Sequence, residues 1–311
     1  MNLRRVYILV FLFCLARHAN AIYSGTVVNY TAYPFFASIV LGDSLSFTGS
    51  VWVCGASLVS PSLLITAAHC VHGAVAAYIY LNSTIMLSPG WTPAPGVITT
   101  ALYIDPSYSP LGKGTGYYDV GFVGLPHNST ITPLVVGSAS QYNNVSSCTL
   151  MDILGRGQTC ANGCLSNSLR HVQLPKVPPS SCIGSDYATQ WTPSVVGADL
   201  CFGWEGVCYN LLHSSEMTCP GDSGGPLTLN NTIYGVVSRG SVKSCGTSYT
   251  PDIFTSLVEP ATQTFVKAVV AGAYNLSNIT LPAYYGKGGG ATGLRCSAAL
   301  GLVAFITLSL I

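Results

Sequence analysis

Short apolar or alternating runs recur along the chain at Phe36–Leu41, Val51–Val59, Leu63–Ala67, Val75–Leu81, Val97–Ile104, Val120–Leu125, Thr149–Leu154, Thr232–Ser238 and Ile253–Leu257. Most are bounded by Gly, Pro, Asn or Ser clusters, which is the pattern of an all-β chain. The 33 glycines and 18 prolines supply the turns that so many short strands need. One stretch follows a helical period instead: Leu257, Val258, Phe265, Val266, Val269 and Val270 predict a single C-terminal helix over about 256–271. No internal repeat interrupts the series.

Composition narrows the class further. Of 311 residues, 49% are apolar and 7% are charged, which excludes a solvated, disordered chain. The net charge of +1 lacks the basic excess that phosphate binding requires, so nucleic acid is not an expected partner. A chain near 300 residues has enough length to bury a sizeable core.

The two ends read as addresses. Residues 1–21 carry Arg4 and Arg5, the apolar run Val6 to Ala16, and the small-residue site Ala19-Asn20-Ala21, the order of a secretory signal peptide. The apolar run is too short for a membrane span. At the other end, the glycine-rich Gly286 to Gly293 stretch, a short spacer and the apolar tail 298–311 follow the order of a glycosylphosphatidylinositol attachment signal, with the attachment residue among Gly286 to Gly290. Residues 273–297 then form a stalk and anchor-attachment region. Between the two cleavage points, residues 22–288 hold eight basic and eleven acidic residues.

Export is also the setting that the other signals fit. Sequons at Asn29, Asn82, Asn128, Asn144, Asn230, Asn275 and Asn278 are expected to be glycosylation sites, adding polar bulk to a surface poor in charge. Cys14 leaves with the signal and Cys296 with the tail, and the ten remaining cysteines read as up to five disulfides. A zinc reading of Cys160 and Cys164 is set aside, because an oxidising compartment favours a bridge over a thiolate cluster.

The segment Gly221-Asp222-Ser223-Gly224-Gly225-Pro226 turns a serine sharply on small residues. The nucleophile elbow of α/β-hydrolases shares that pattern, but there the histidine follows the serine, and the last histidine here is His213. Upstream stand Thr66-Ala67-Ala68-His69-Cys70 and Tyr118-Asp119-Val120-Gly121-Phe122, in the order His, Asp, Ser. With Cys54-Gly55-Ala56-Ser57-Leu58-Val59, Asp105-Pro106-Ser107-Tyr108 and Gly235-Val236-Val237-Ser238, these motifs resemble the trypsin/chymotrypsin-like serine protease family from Ile22 to about Ala271.

That resemblance implies two six-stranded antiparallel β-barrels, over about 22–135 and 136–255, with the C-terminal helix closing a protease domain of residues 22–272. It implies peptide-bond hydrolysis through an acyl-enzyme, with no metal or organic cofactor, by a secreted monomer that acts on protein or peptide substrates and reaches the membrane through its lipid anchor. A serine hydroxyl is a weak nucleophile at neutral pH, so Ser223 needs His69 as base, and His69 needs a buried carboxylate, Asp119, to fix its tautomer. The backbone N–H groups of Gly221 and Ser223 are the implied oxyanion donors. Asp105 competes with Asp119 on chemistry alone but falls where the family has a surface turn.

The resemblance also implies the disulfides Cys54–Cys70, Cys182–Cys201 and Cys219–Cys245, and leaves Cys148, Cys160, Cys164 and Cys208 with three connectivities. Ile22 resembles the family's activated N-terminus, with Asp222 as its partner, and here signal cleavage after Ala21 would expose it directly; cutting near Ala16 would instead leave a pro-segment, Arg17 to Ala21. The substrate pocket falls on Met217, Ser238, Gly240 and Asp252. Met217 favours apolar side chains, whereas a carboxylate at Asp252 would attract basic ones or stay protonated. Arg239 stands where the family customarily has tryptophan. A non-catalytic surface binding or adhesion protein on the same scaffold is the alternative function.

Overall fold

The computed structural model describes residues 22–83, 96–108, 118–158, 165–182, 199–204, 208, 216–240 and 251–272. The expected signal segment, stalk and anchor tail (residues 1–21 and 273–311), with Asn275, Asn278, His213, Cys160, Cys164 and Cys245, lie outside the described residues.

Two antiparallel sheets and a C-terminal helix make up most of the fold, as the punctuated runs predict, with two short helices that the runs do not mark, α1 (Ala68–Val71) and α2 (Ala139–Asn143). The first sheet takes β2 (Phe36–Gly42), β3 (Val51–Ser60), β4 (Leu63–Thr66), β5 (Ala76–Leu81), β6 (Val97–Thr99), β7 (Leu102–Ile104) and β8 (Gly121–Gly124) in the order β6-β5-β2-β3-β4-β8-β7. The second joins β1 (Thr26–Val27), β10 (Leu150–Gly155), β11 (Arg170–Pro175), β12 (Asp199–Phe202), β13 (Pro226–Leu229), β14 (Thr232–Arg239) and β15 (Asp252–Ser256) in the order β1-β11-β10-β13-β14-β15-β12. A two-residue strand, β9 (Val135–Val136), pairs in parallel with β14. The described sheets thus hold seven and eight strands where six and six were expected.

The central strand β2 is apolar without alternation because both of its faces are covered. Phe36, Ile39 and Leu41 enter the first core, while Val40 meets Val53 and Tyr80 on the other side. The second core gathers Met151, Ile153, Leu227, Val237 and Phe254 from four strands of its own sheet.

The first and last described segments pack on opposite cores. Ile22 lies wholly buried in the second core, and β1 pairs with β11. The C-terminal helix α3 (Pro260–Val270) instead presses Val266 and Val269 into the first core, and Phe265 meets Phe122 edge-on at 5.9 Å between ring centroids. Each half is therefore strapped by a segment from the other end of the sequence. The helix begins later than its apolar period suggested, because Ser256 still pairs with Gly235 in the sheet. Pro260 then occupies the first turn, and the Glu259 side chain caps it by accepting from Thr262 N at 2.8 Å.

Cys54–Cys70 and Cys182–Cys201 are bonded as the resemblance implied. Cys148 bonds Cys208 across 60 residues, which eliminates the two connectivities that joined either cysteine to Cys160 or Cys164. Cys219 is also disulfide-bonded. Asn29, Asn128, Asn144 and Asn230 are exposed, whereas Asn82 is half-buried.

Candidate active site

Two adjacent strands bring His69 and Asp119 together from positions 50 residues apart. The short helix α1 (Ala68–Val71) follows β4 directly and carries His69, while Asp119 lies just before β8. Because Thr66 pairs with Gly121, the end of β4 and the start of β8 sit side by side. Asp119 Oδ2 meets His69 Nδ1 at 2.7 Å, and Oδ1 accepts from the His69 backbone N–H at 2.7 Å. Ser238 Oγ, from the second sheet, donates to Oδ2 at 2.6 Å.

These partners decide the charge state of a buried acid. Burial alone would raise the Asp119 pKa, but the His69 charge and the donated hydrogen bonds hold it below the ordinary carboxylate value. Burial likewise acts to lower the His69 pKa and is outweighed by Asp119, so that its net shift is upward. With Nδ1–H directed at Asp119, Nε2 is left as the accepting nitrogen on a side chain 28% exposed. Asp105, by contrast, is no surface residue. It is buried and accepts from Ser107 N at 2.8 Å, away from His69.

Ser223 sits on a turn that only glycine permits. Gly221 and Gly224 have φ of +97° and +76°. The turn is seated against the first sheet, where Gly55 N donates to Ser223 O at 2.7 Å. A Cβ on Gly224 would overlap Thr66 Oγ1 and the Gly55 carbonyl oxygen, both in the segments that lead to His69. The serine loop and the histidine helix thus pack at one seam. The hydrogen bonds of the described residues include none from Ser223 Oγ to His69 Nε2, whose contact is Cys70 Sγ at 3.7 Å. Such bonds are often long without substrate and tighten on binding. Cys54 and Cys70 also lie near the imidazole, but their sulfurs are joined to each other and offer no thiolate to a metal.

The Trypsin family profile matches residues 22–261. The chain belongs to the trypsin family of serine proteases. It is 28% identical to chymotrypsin-like elastase family member 1 of Bos taurus, over 74% of this chain and 83% of that one. Trypsin zeta of Drosophila melanogaster is 30% identical over 70% of this chain and 74% of its own. The solved structure of HL collagenase has the same fold, with a TM-score of 0.63 at 23% identity, covering 80% of this chain and 98% of the collagenase.

In this trypsin-family chain Thr218 and Gly240 lie against a buried acid, Asp252. Asp252 Oδ2 accepts from Thr218 N at 2.6 Å, next to Met217, and a Cβ on Gly240 would lie 3.1 Å from Asp252 Oδ1. Asp252 is therefore wedged between the Met217–Thr218 segment and the end of β14. Desolvation pushes its pKa up to about 7 against the pull of the Thr218 hydrogen bonds. Asp222 is treated alike: its carboxylate accepts from Gly157 N at 2.7 Å and Cys219 N at 2.9 Å, yet burial still raises it to about 7. Tyr23 N donates to Met217 O at 3.0 Å, which ties the buried Ile22 segment to the Met217–Thr218 segment.

One participant had no sequence signal. Asp199, on β12, pairs with Arg239 on β14, across the intervening β15. It stands outside every motif, and only the strand order brings it near. Among the remaining histidines, His171 pairs with Asp152 at 2.7 Å and His72 meets Tyr108 edge-on.

The seam generates a direct expectation. Gly224→Ala forces a Cβ into the contact with Thr66 and Gly55 at a left-handed φ. It should lower unfolding free energy by about 2–5 kcal/mol, read from a urea denaturation midpoint.

Proposed function

We propose that this chain is a serine endopeptidase of the cell surface, cleaving peptide bonds through an acyl-enzyme on Ser223. The observation that carries the reading is the His69–Asp119 pair: an imidazole held at Nδ1 by a buried carboxylate, beside a glycine-built serine turn. In this reading His69 Nε2 takes the Ser223 hydroxyl proton during attack and returns it to the leaving amine, while Asp119 stabilises the imidazolium. The Gly221 and Ser223 N–H groups receive the oxyanion, each worth about 3 kcal/mol. Ser223→Ala in the processed chain should cut turnover of a fluorogenic peptide library by about 10³-fold or more. Turnover equal in parent and variant would favour the surface-binding alternative.

Substrate choice follows from the pocket. With Asp252 protonated, Met217 and its neighbours present a neutral, largely apolar site, supporting a preference for apolar residues before the scissile bond. The raised pKa of Asp252 gives this preference a pH dependence. Below about 7 the acid is neutral, and above it the carboxylate attracts Lys and Arg. The ratio of kcat/KM for Lys over Leu substrates should therefore rise between pH 6 and 8 by about 3–10-fold, and Asp252→Asn should flatten that rise.

Activation and anchoring are read from the ends. Signal cleavage after Ala21 would free the Ile22 ammonium to pair with Asp222, adding a charged partner to a buried carboxylate that otherwise has only backbone N–H donors. The burial of Ile22 and of Asp222 supports this arrangement. The C-terminal order of small residues, spacer and apolar tail supports lipid anchoring. N-terminal sequencing of surface material should begin at Ile22, and a phosphatidylinositol-specific phospholipase C should release it. A different start, or resistance to release, would remove the corresponding step.

A further inference from the structure

A buried line of polar groups leads away from the His69–Asp119 pair and ends on residues that no catalytic motif contains. Ser238 Oγ donates to Asp119 Oδ2, Arg239 Nη1 donates to Ser238 Oγ at 3.2 Å, and Arg239 Nη2 pairs with Asp199. The Arg239 and Asp199 side chains are 7% and 9% exposed. We infer that Arg239, held in place by Asp199, is a positioning residue for His69: it commits the Ser238 hydroxyl proton to Asp119 and sets a buried positive charge behind that carboxylate. The role as positioning residue rests on the proteolytic reading above.

Two physical arguments meet here. A hydroxyl has one proton and two acceptor sites, so an N–H from Arg239 fills an acceptor site and leaves the proton for Asp119. A tryptophan, the customary residue of the resemblance, has an indole N–H but no charge and no fork to bridge Ser238 and Asp199. The second argument is electrostatic. In a desolvated site a guanidinium beyond the carboxylate disfavours the imidazolium, because it offsets part of the negative charge that stabilises it.

The groups facing His69 set the sign. Asp119, from the loop before β8, favours protonation; Arg239, from β14, opposes it. Tyr108 lies near enough to Asp119 to feel its charge and is itself neutral, His72 packs against Tyr108, and Cys70 at Nε2 is locked in a disulfide. Asp199, from β12, partly screens Arg239 through their ion pair. Arg239 is thus the cation that counters Asp119, keeping the imidazole free to accept a proton at lower pH than Asp119 alone would allow. Removing that charge should move His69 protonation to higher pH.

The test follows the His69 imidazole itself. In processed, isotope-labelled chain carrying Ser223→Ala, the His69 titration is read by NMR alongside Arg239→Gln, Arg239→Lys and the double change Arg239→Met with Asp199→Leu. The double change exchanges the buried ion pair for apolar side chains, a replacement that folds tolerate. The His69 midpoint should rise by about 0.5–1 pH unit in the Gln and double variants and stay near the parent value in Lys. In chain with Ser223 intact, the acid limb of kcat/KM should move by the same amount. A midpoint unmoved in either folded, charge-free variant overturns the inference. The NMR readout does not require turnover, so an inactive parent would defeat the proteolytic reading while leaving this result legible.

Discussion

Everything at the cleft depends on a carboxylate that should not be comfortable where it is. Asp119 is 2% exposed, and desolvating an unpaired carboxylate costs several kcal/mol. It is tolerated because three donors reach it: the His69 backbone N–H, His69 Nδ1 and Ser238 Oγ. The first two come from the first half of the chain and the third from the second. The charge is therefore satisfied only when the halves are docked, and the same bonds that satisfy it orient the imidazole. Stability of the seam and orientation of the histidine are one requirement.

Close backbone approach does the rest of the docking. Gly55 on β3 touches Gly225, and Gly224 fits beneath Thr66 and the Gly55 carbonyl. Small residues on both sides let the serine turn come within hydrogen-bonding distance of β3. The first and last described segments reinforce this arrangement from opposite directions, Ile22 in the second core and α3 on the first. A protein with so few charges places several of them inside: Asp119, Asp222, Asp252 and Arg239 are all buried around this seam. Each is met by backbone N–H donors or a buried partner, and the differences among those partners separate their protonation behaviour.

Much of this was legible in the residues. All nine apolar runs contain strands, because an extended segment with a buried face must be apolar at regular positions. Among the strands that escaped notice, β1 and β9 span two residues each, and β11 has too few apolar side chains to form a run. In β11 only Val172 and Leu174 face the core between Arg170, His171 and Gln173. The run Val97–Ile104 divides into β6 and β7, since Ala101 bends toward Gly124, a contact that local pattern does not encode. The serine turn was visible because its positive φ and close packing at Gly221 and Gly224 favour glycine, and His69 and Asp119 because each stands in its own flanking motif.

What the sequence by itself determined is local: which segments extend, where the chain must turn, and which side chains carry chemistry. Those properties depend on neighbours along the chain. Tertiary structure alone decided the rest. It joined Cys148 to Cys208, buried Asp105 with Ser107 N as its donor, sent Ile22 and the C-terminal helix to opposite cores, and laid Arg239 between Ser238 and Asp199. These are distances between residues far apart in the chain, and strand order and desolvation, not local propensity, determine them.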